Sequence, residues 1–205
     1  MWDRLNKWRQ MVRSAVFLDR DGVLIPDVFP PPDSAIIELY PYAAAAVARL
    51  QKAGFTTVVV TNQTGVARGM ISEDDVASAH NRIQELLLDG NGARIDRFYY
   101  CPHHPKANVP EYQTVCEFRK PSTGMLLKAA QDLDLDLASS HLIGDRISDI
   151  IAGQRVGCRT VQVQTGMHLD SPVEGVTESD LEIRPDHICA NLSEAVDNIL
   201  ESVNR

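Results

Sequence analysis

The 205-residue sequence predicts an α/β fold, a parallel β-sheet with helices on both faces. Short apolar runs alternate along the chain with longer stretches of helical periodicity. Those stretches carry readable start and stop signals. The first apolar run, Ala15-Val16-Phe17-Leu18, is continuous and short enough to be a buried strand.

Taken in order, that first strand covers 15–19 and runs into Asp19, Arg20, Asp21 and Gly22, where the chain turns sharply. Residues 42–53 form an alanine-rich helix stopped by Gly54 in a left-handed cap. A second strand over 55–61 carries Val58-Val59-Val60 up to Thr61 and Asn62. Ser72 followed by Asp75 has the pattern of a capping box, opening a helix whose core face is Val76, Ala79, Ile83 and Leu86 or Leu87. The third strand spans 94–101, and Ser122 caps a helix carrying Met125, Leu126, Ala129 and Leu133. A fourth strand, 141–144, leads into Asp145 and a helix that begins near Ile147 and is closed by Gly157. Strands at 160–163 and 187–190 follow, and Asn191 with Glu194 opens the last helix.

Stretches outside this rhythm have their own readings. Residues 1–13 place Trp2, Leu5, Trp8 and Val12 at helical spacing, a short helical extension ahead of a single domain over 14–205. Residues 26–35, with Pro26, Pro30, Pro31 and Pro32, form a stiff loop, and 101–121 a long connection rich in Cys, His and Pro. Long irregular loops at the edge of a sheet usually carry function. The acidic stretch 170–186 reads as a solvated loop. His80 and His141 read as surface or satisfied structural histidines, Cys158 and Cys189 as small buried hydrophobes.

Composition limits the function classes. Hydrophobic residues at 44% and charged residues at 23% are ordinary for a globular chain. A net charge of -8 argues against a nucleic-acid track, which needs a basic face. No segment approaches the apolar length of a membrane span. The first thirteen residues have no continuous apolar core and are not a secretory signal, so a cytoplasmic location is expected. Four cysteines without an extracellular cue favour free thiols or metal ligands over disulfides.

Asp19 and Asp21 at one strand tip, Thr61 at another, Arg119-Lys120 on the long loop and Asp145 after the fourth strand together suit phosphoryl transfer. Charge in that transition state spreads over the phosphoryl oxygens, so catalysis is mostly positioning and neutralisation. Asp19 is the natural nucleophile, and Asp21, two residues on, the general acid and later the base. Two carboxylates facing a phosphate dianion require a hard cation, and oxygen ligands suit Mg²⁺. Its ligands are expected from Asp19, the backbone carbonyl of Asp21 and Asp145, with Asp149 behind them. Thr61 and Asn62 offer donors to phosphate oxygens, and Lys120 a cationic clamp. Each fragment alone is weak, but their chain order at the ends of separate strands is not.

Asp19-Arg20-Asp21-Gly22, the run from Val60-Thr61-Asn62-Gln63-Thr64 to Arg68-Gly69, Arg119-Lys120-Pro121 and Gly144-Asp145 resemble the four motifs of the haloacid dehalogenase (HAD) superfamily of phosphatases. The likeness, over about residues 14 to 166, is greatest to the branch of D-glycero-D-manno-heptose 1,7-bisphosphate 7-phosphatases and histidinol-phosphate phosphatases. The resemblance implies a Rossmann-like domain without a large cap and a Mg²⁺-dependent phosphomonoesterase acting on a small phosphorylated metabolite. By the same matching Arg119 helps recognise substrate, Thr61 and Lys120 steady the phosphoryl group, and Asp27, Asn62, Gln63, Thr64 and Arg146 border the substrate.

Two departures stand out. The branch binds a structural zinc through Cys-x-His and Cys-x-Cys; here Cys101, His103 and Cys116 match, but the fourth position is Phe118. Closed zinc sites use four protein ligands, so the expectation leans toward no tightly bound Zn²⁺ unless His104 or water completes the set. Arg146 stands where the branch often has lysine, which keeps the charge but changes the donor geometry. Rival readings are a histidinol-phosphate phosphatase, a nucleic-acid 3′-phosphatase opposed by the acidic balance, and a catalytically silent binding module opposed by the presence of both Asp19 and Asp21.

Overall fold

The computed structural model describes residues 13–28, 33–166 and 176–203. Within them six parallel strands form one sheet: β1 (Ala15–Leu18), β2 (Thr56–Asn62), β3 (Arg97–Cys101), β4 (His141–Gly144), β5 (Arg159–Val163) and β6 (His187–Cys189). The spatial order is β3-β2-β1-β4-β5-β6. That is the doubly wound order, whose direction reverses between β1 and β4 and opens a crevice at the strands' C-terminal ends.

The helices are α1 (Ala43–Lys52), the short α2 (Thr64–Ala67), α3 (Glu73–Asn91), α4 (Gly124–Leu133), α5 (Ile147–Arg155) and α6 (Leu192–Val203). They cover both faces because strand side chains alternate. Val16, Leu18, Val59, Ile143 and Val161 pack with α1, α3 and α6, while Ala15, Phe17, Val58, Val60 and Leu142 pack against α4 and Ala152 of α5. Leu87 is the fully buried leucine of α3, and Leu86 only borders the core. The parallel sheet with helices on both faces is thus as expected. Among the described residues no second domain stands over the sheet's C-terminal edge, which is bordered by loops. No helix there is long and apolar enough to cross a membrane.

Local signals held where the backbone had no better partner. Ser72 Oγ accepts from Asp75 N while Asp75 accepts from Ser72 N, closing the capping box of α3. Ahead of α6, Asn191 Oδ1 accepts from Glu194 N while the Glu194 carboxylate accepts from Ala190 N, one residue before the box position. Gly54 lies at φ +91° and Gly157 at φ +82°, both just past a helix end.

Three expectations are corrected. Ser122 does not cap α4: its N–H donates to Arg119 O, and Thr123 precedes the helix without a side-chain cap. The turn carrying Arg119 and Lys120 closes instead through Gly124 N donating to Glu117 O at 2.9 Å, where a Cβ would lie 2.6 Å from that oxygen. β3 begins at Arg97 rather than 94, because Ile95 N donates to Gln84 and the Asp96 carboxylate accepts from Thr57 N. The described part of 170–186 is not simply solvated: Asp180 is buried against Arg155 at 2.6 Å, and Asp186 accepts from Thr160 N at 2.7 Å. Of the two readings offered for His80 and His141, the structural one holds, since both are buried. Burial above all lowers their pKa, to about 3 and about 4, so both sit neutral in the core.

The helical extension over 1–13 lies outside the described residues except for Arg13, which bridges to Leu135. Residues 29–32 of the proline loop and 170–175 of the acidic stretch also lie outside them.

Candidate active site

The sheet register brings the predicted carboxylates together. Leu18 pairs with Val59 on one side and Ile143 on the other, so the residues just past β1, β2 and β4 end at one level. Asp19 N donates to Ile143 O at 2.9 Å, extending the ladder by one residue and fixing the direction of the first aspartate. The chain then reverses through Gly22 at φ +79°, with Leu24 N returning to Arg20 O. Glycine is required there, and at Gly166, by the closeness of Asp145. A Cβ on Gly22 would stand 2.7 Å from the Asp145 carboxylate, and one on Gly166 2.3 Å from its Oδ2.

Asp19, Asp145 and Asp149 are all buried, and their carboxylate oxygens lie within 4.8 Å of one another. Lys120 enters this cluster from the long loop, 3.0 Å from Asp19 Oδ1 and 2.6 Å from Asp149 Oδ1, its ammonium also donating to Val60 O at 2.7 Å. The Asn62 side chain aims Lys120, accepting from its N–H and donating to its carbonyl, both at 3.0 Å. The Lys120–Pro121 bond is cis.

Burial pushes the Asp19 carboxyl up to about 7; Lys120 opposes this, and Asp149 and Asp21 add to it. Burial alone would lower the Lys120 pKa, but Asp149 and Asp19 outweigh it and hold the ammonium charged. Three converging buried carboxylates to one ammonium is a donor set with surplus negative charge, all oxygen, and it fits a hard divalent cation of the Mg²⁺ kind. Asp149 comes nearer than the sequence implied, although its other oxygen accepts from Arg146 N at the start of α5.

Asp21 stands at the mouth rather than in the cluster. Arg20 grips it by two hydrogen bonds of 3.1 and 3.0 Å, and Gln63 donates to it at 2.9 Å. Gln63 also accepts from Arg20 and donates to Thr61 Oγ1, each at 2.9 Å. The Gln63 amide thus links Asp21 to Thr61 within the lining of the cavity. Two donors aimed at Asp21 hold it in one position beside Asp19. Sequence reasoning gave no role to Arg20, because an arginine between two aspartates has no spacing signal of its own.

A cavity of about 540 Å³ opens over this floor, lined by Asp19, Asp21, Asp27, Thr61, Asn62, Gln63, Thr64, Arg119, Lys120 and Arg146 among others. Asp27 and Arg146, 119 residues apart, pair at 2.9 Å on its rim. Arg119 NH1 donates to Thr64 Oγ1 and His103 O, both at 3.2 Å, joining α2 to the long loop. Ser148, Arg68, His104 and Lys106 also line the cavity and were not singled out for it from the sequence. Ser148 lies in the first turn of α5 and the other three outside the helices, where isolated polar residues carry no periodicity to read.

Cys101, His103 and Cys116 converge separately, their ligand atoms within 4.8 Å, with Cys101 Sγ 3.9 Å from His103 Nδ1. Phe118 packs with Cys116 against the apolar cluster beneath α4. His104 does not join: its Nδ1 accepts from Lys106 N at 3.0 Å.

Comparison with known proteins agrees with this geometry. Residues 117–195 match the HAD-hydrolase-like family model. The chain is 42% identical over 190 residues to the D-glycero-D-manno-heptose-1,7-bisphosphate 7-phosphatase of Thermosynechococcus vestitus, covering 91% of this chain and 95% of that protein. It is 37% identical over 165 residues to the D-glycero-beta-D-manno-heptose-1,7-bisphosphate 7-phosphatase of Escherichia coli, covering 80% and 86%. The solved D,D-heptose 1,7-bisphosphate phosphatase of B. bronchiseptica, complexed with magnesium and phosphate, superposes with a TM-score of 0.75 at 29% identity, over 92% of this chain and 99% of that one. With its buried acid cluster at the switch point and likeness along nearly its whole length, the chain belongs to the HAD-like phosphatases, phosphoric monoester hydrolases, in the branch of the heptose-bisphosphate phosphatases.

Proposed function

We propose that this enzyme removes the 7-phosphate of D-glycero-D-manno-heptose 1,7-bisphosphate through an aspartyl-phosphate on Asp19. The observation that carries the proposal is the convergence of Asp19 with Asp145 and Asp149 around the Lys120 ammonium, with Asp21 clamped beside Asp19 at the cavity mouth. An Asp19 oxygen attacks phosphorus as the ester P–O bond breaks, and Asp21 gives its proton to the departing sugar oxygen. Asp21, now ionised, takes a proton from water, whose oxygen attacks the acyl phosphate and releases inorganic phosphate, restoring Asp19. Lys120 and Thr61 hold the phosphoryl oxygens, and Arg146 and Arg119 border the sugar.

Asp19, Asp145 and the backbone carbonyl of Asp21 would hold Mg²⁺, with Asp149 behind them, and the cation would neutralise carboxylates and phosphate where they meet. A carboxyl that burial pushes up to about 7 needs that charge beside it to stay ionised at neutral pH. The loop cluster has three donors and a phenyl ring where a fourth would stand, and we read it as held by packing rather than by tightly bound zinc. Residues 14–205 are read as one domain acting on a small phosphorylated sugar in the cytoplasm.

The test is Mg²⁺-dependent phosphate release, in wild type and Asp19→Asn, from both anomers of the heptose bisphosphate, histidinol phosphate and a generic aryl phosphate. The heptose bisphosphate is expected to lead, with all turnover lost in the variant. Preference for histidinol phosphate would move the enzyme to that neighbouring activity. Turnover surviving in Asp19→Asn would remove the covalent step.

A further inference from the structure

Arg20 is almost wholly buried, yet only two of its three guanidinium nitrogens are bonded. Nε donates to Asp21 at 3.1 Å, and NH2 to Asp21 at 3.0 Å and to Gln63 at 2.9 Å. NH1 is buried and has no hydrogen-bond partner among the described residues. A buried donor on a charged group is costly to leave unpaired. Because the same planar group aims Asp21, whatever fixes NH1 also fixes the carboxylate proposed as general acid.

A second buried nitrogen lies on the same side of the sheet. His80 of α3 is buried, its ring stacked on Phe98 at 4.5 Å and edge-on to Tyr100 at 5.8 Å. Its Nε2 also has no hydrogen-bond partner among the described residues. The Tyr100 hydroxyl beside it donates elsewhere, to Glu73 at 2.5 Å. Leu18, Val59 and Phe98 form one row across β1, β2 and β3, in the core cluster shared with α3. Arg20 follows Leu18 by two residues, the period of a strand, which puts its side chain on the face where His80 covers Phe98. Arg20 is also the charge that most lowers the His80 pKa, after burial, with Asp21 acting in the opposite sense. A neutral imidazole keeps one acceptor nitrogen, whereas a guanidinium has only donors.

We infer that His80 is a positioning residue for the proposed reaction: its Nε2 serves Arg20 NH1 across one buried water, and so holds the guanidinium that aims Asp21. The two nitrogens are not bonded to each other directly, and a single water has in them the donor and the acceptor it needs. The inference rests on the phosphatase reading and extends the Asp21 clamp from the cavity mouth into α3. His80 touches no reacting atom. It acts by keeping Arg20 from turning, and Asp21 with it, away from the departing oxygen.

The experiment measures kcat/KM with Mg²⁺ for heptose 1,7-bisphosphate and for 4-nitrophenyl phosphate, in wild type, His80→Phe, His80→Gln and Asp21→Asn. This quantity covers the steps up to departure of the leaving group. A sugar oxygen needs the Asp21 proton in order to leave, and 4-nitrophenolate does not. His80→Phe keeps the ring stack and loses the acceptor, so the sugar-to-aryl ratio should fall about fivefold, with the aryl value within about twofold of wild type. His80→Gln, which offers a carbonyl oxygen, should hold the ratio within about twofold of wild type. Asp21→Asn should lower it about a hundredfold. Equal losses on both substrates in His80→Phe, an unchanged ratio there, or a ratio as low in His80→Gln overturn the positioning role. If Asp21→Asn spares the ratio as well, the acid role in the proposed function falls with it; if Asp21→Asn lowers the ratio, that role stands alone. A crystal structure of the wild-type enzyme should show one water about 3 Å from both nitrogens, and either nitrogen bonded to another group would overturn the bridge.

Discussion

The two clusters able to hold a metal differ in what builds them. Asp19, Asp145 and Asp149 come from the tips of adjacent strands and the first turn of α5, and the sheet register sets their spacing. Cys101 ends β3, but His103 and Cys116 lie on the loop that follows, where no ladder runs, and Phe118 stands in the fourth donor's position. A site at strand tips inherits rigidity from the sheet, so its excess charge calls for a cation only for chemistry. A loop site needs its own fastening, and an aromatic ring packed on the core can supply it without metal.

The sharpest way to break the comparison is Lys120→Ala. It leaves two buried carboxylates without their ammonium, so kcat should fall about 10²–10³-fold with a smaller change in KM. Stability should drop by about 3–5 kcal/mol without Mg²⁺ and recover in part with it, read by thermal melts. An unchanged kcat with a raised KM would contradict the role given to Lys120.

Next in size is Gln63→Leu, which removes the amide joining Arg20, Asp21 and Thr61. Steady-state kcat should fall about ten- to a hundredfold. Loss of KM alone, with kcat intact, would return Gln63 to the substrate-facing role expected from the sequence.

On the loop side, Phe118→Cys supplies the missing donor. Elemental analysis of the variant should find one zinc per chain, and its melting temperature should rise by about 5 °C with zinc. One equivalent already present in wild type, purified without chelator, would erase the contrast between the clusters.

The smallest effect concerns His80 of α3, stacked on Phe98 at 4.5 Å and edge-on to Tyr100 at 5.8 Å. Burial first, then the charge of Arg20, lowers its pKa from 6.5 to about 3. The unfolded chain therefore binds a proton between those values that the folded one does not. This contribution is whole above pH 6.5 and lost as pH falls toward 3, at most about 1.4 kcal/mol per pH unit. Stability of His80→Phe should be less sensitive to acid in that window; parallel pH profiles would place the acid sensitivity elsewhere.

Much of this was legible in the chain. Alternating apolar runs and caps marked six strands and their helices, because periodicity and capping are local. The carboxylates were legible because chemistry at a sheet edge needs them at strand ends. What escaped was partnership: that Gln63 bridges Arg20, Asp21 and Thr61, that Gly124 rather than Ser122 starts α4, and that Asp180 and Asp186 are drawn in by Arg155 and Thr160. Apart from the start of α4, each of these is a contest between groups far apart in sequence.

By itself the amino-acid order determined the element types, the place of Asp19 at a strand tip and the reaction family, since those depend on neighbours within a few residues. Only the tertiary structure decided that Lys120 turns to Asp19 and Asp149 while its neighbour Arg119 reaches Thr64 and His103. Side-chain direction on a loop is set by what packs around it, and those partners lie up to 60 residues away.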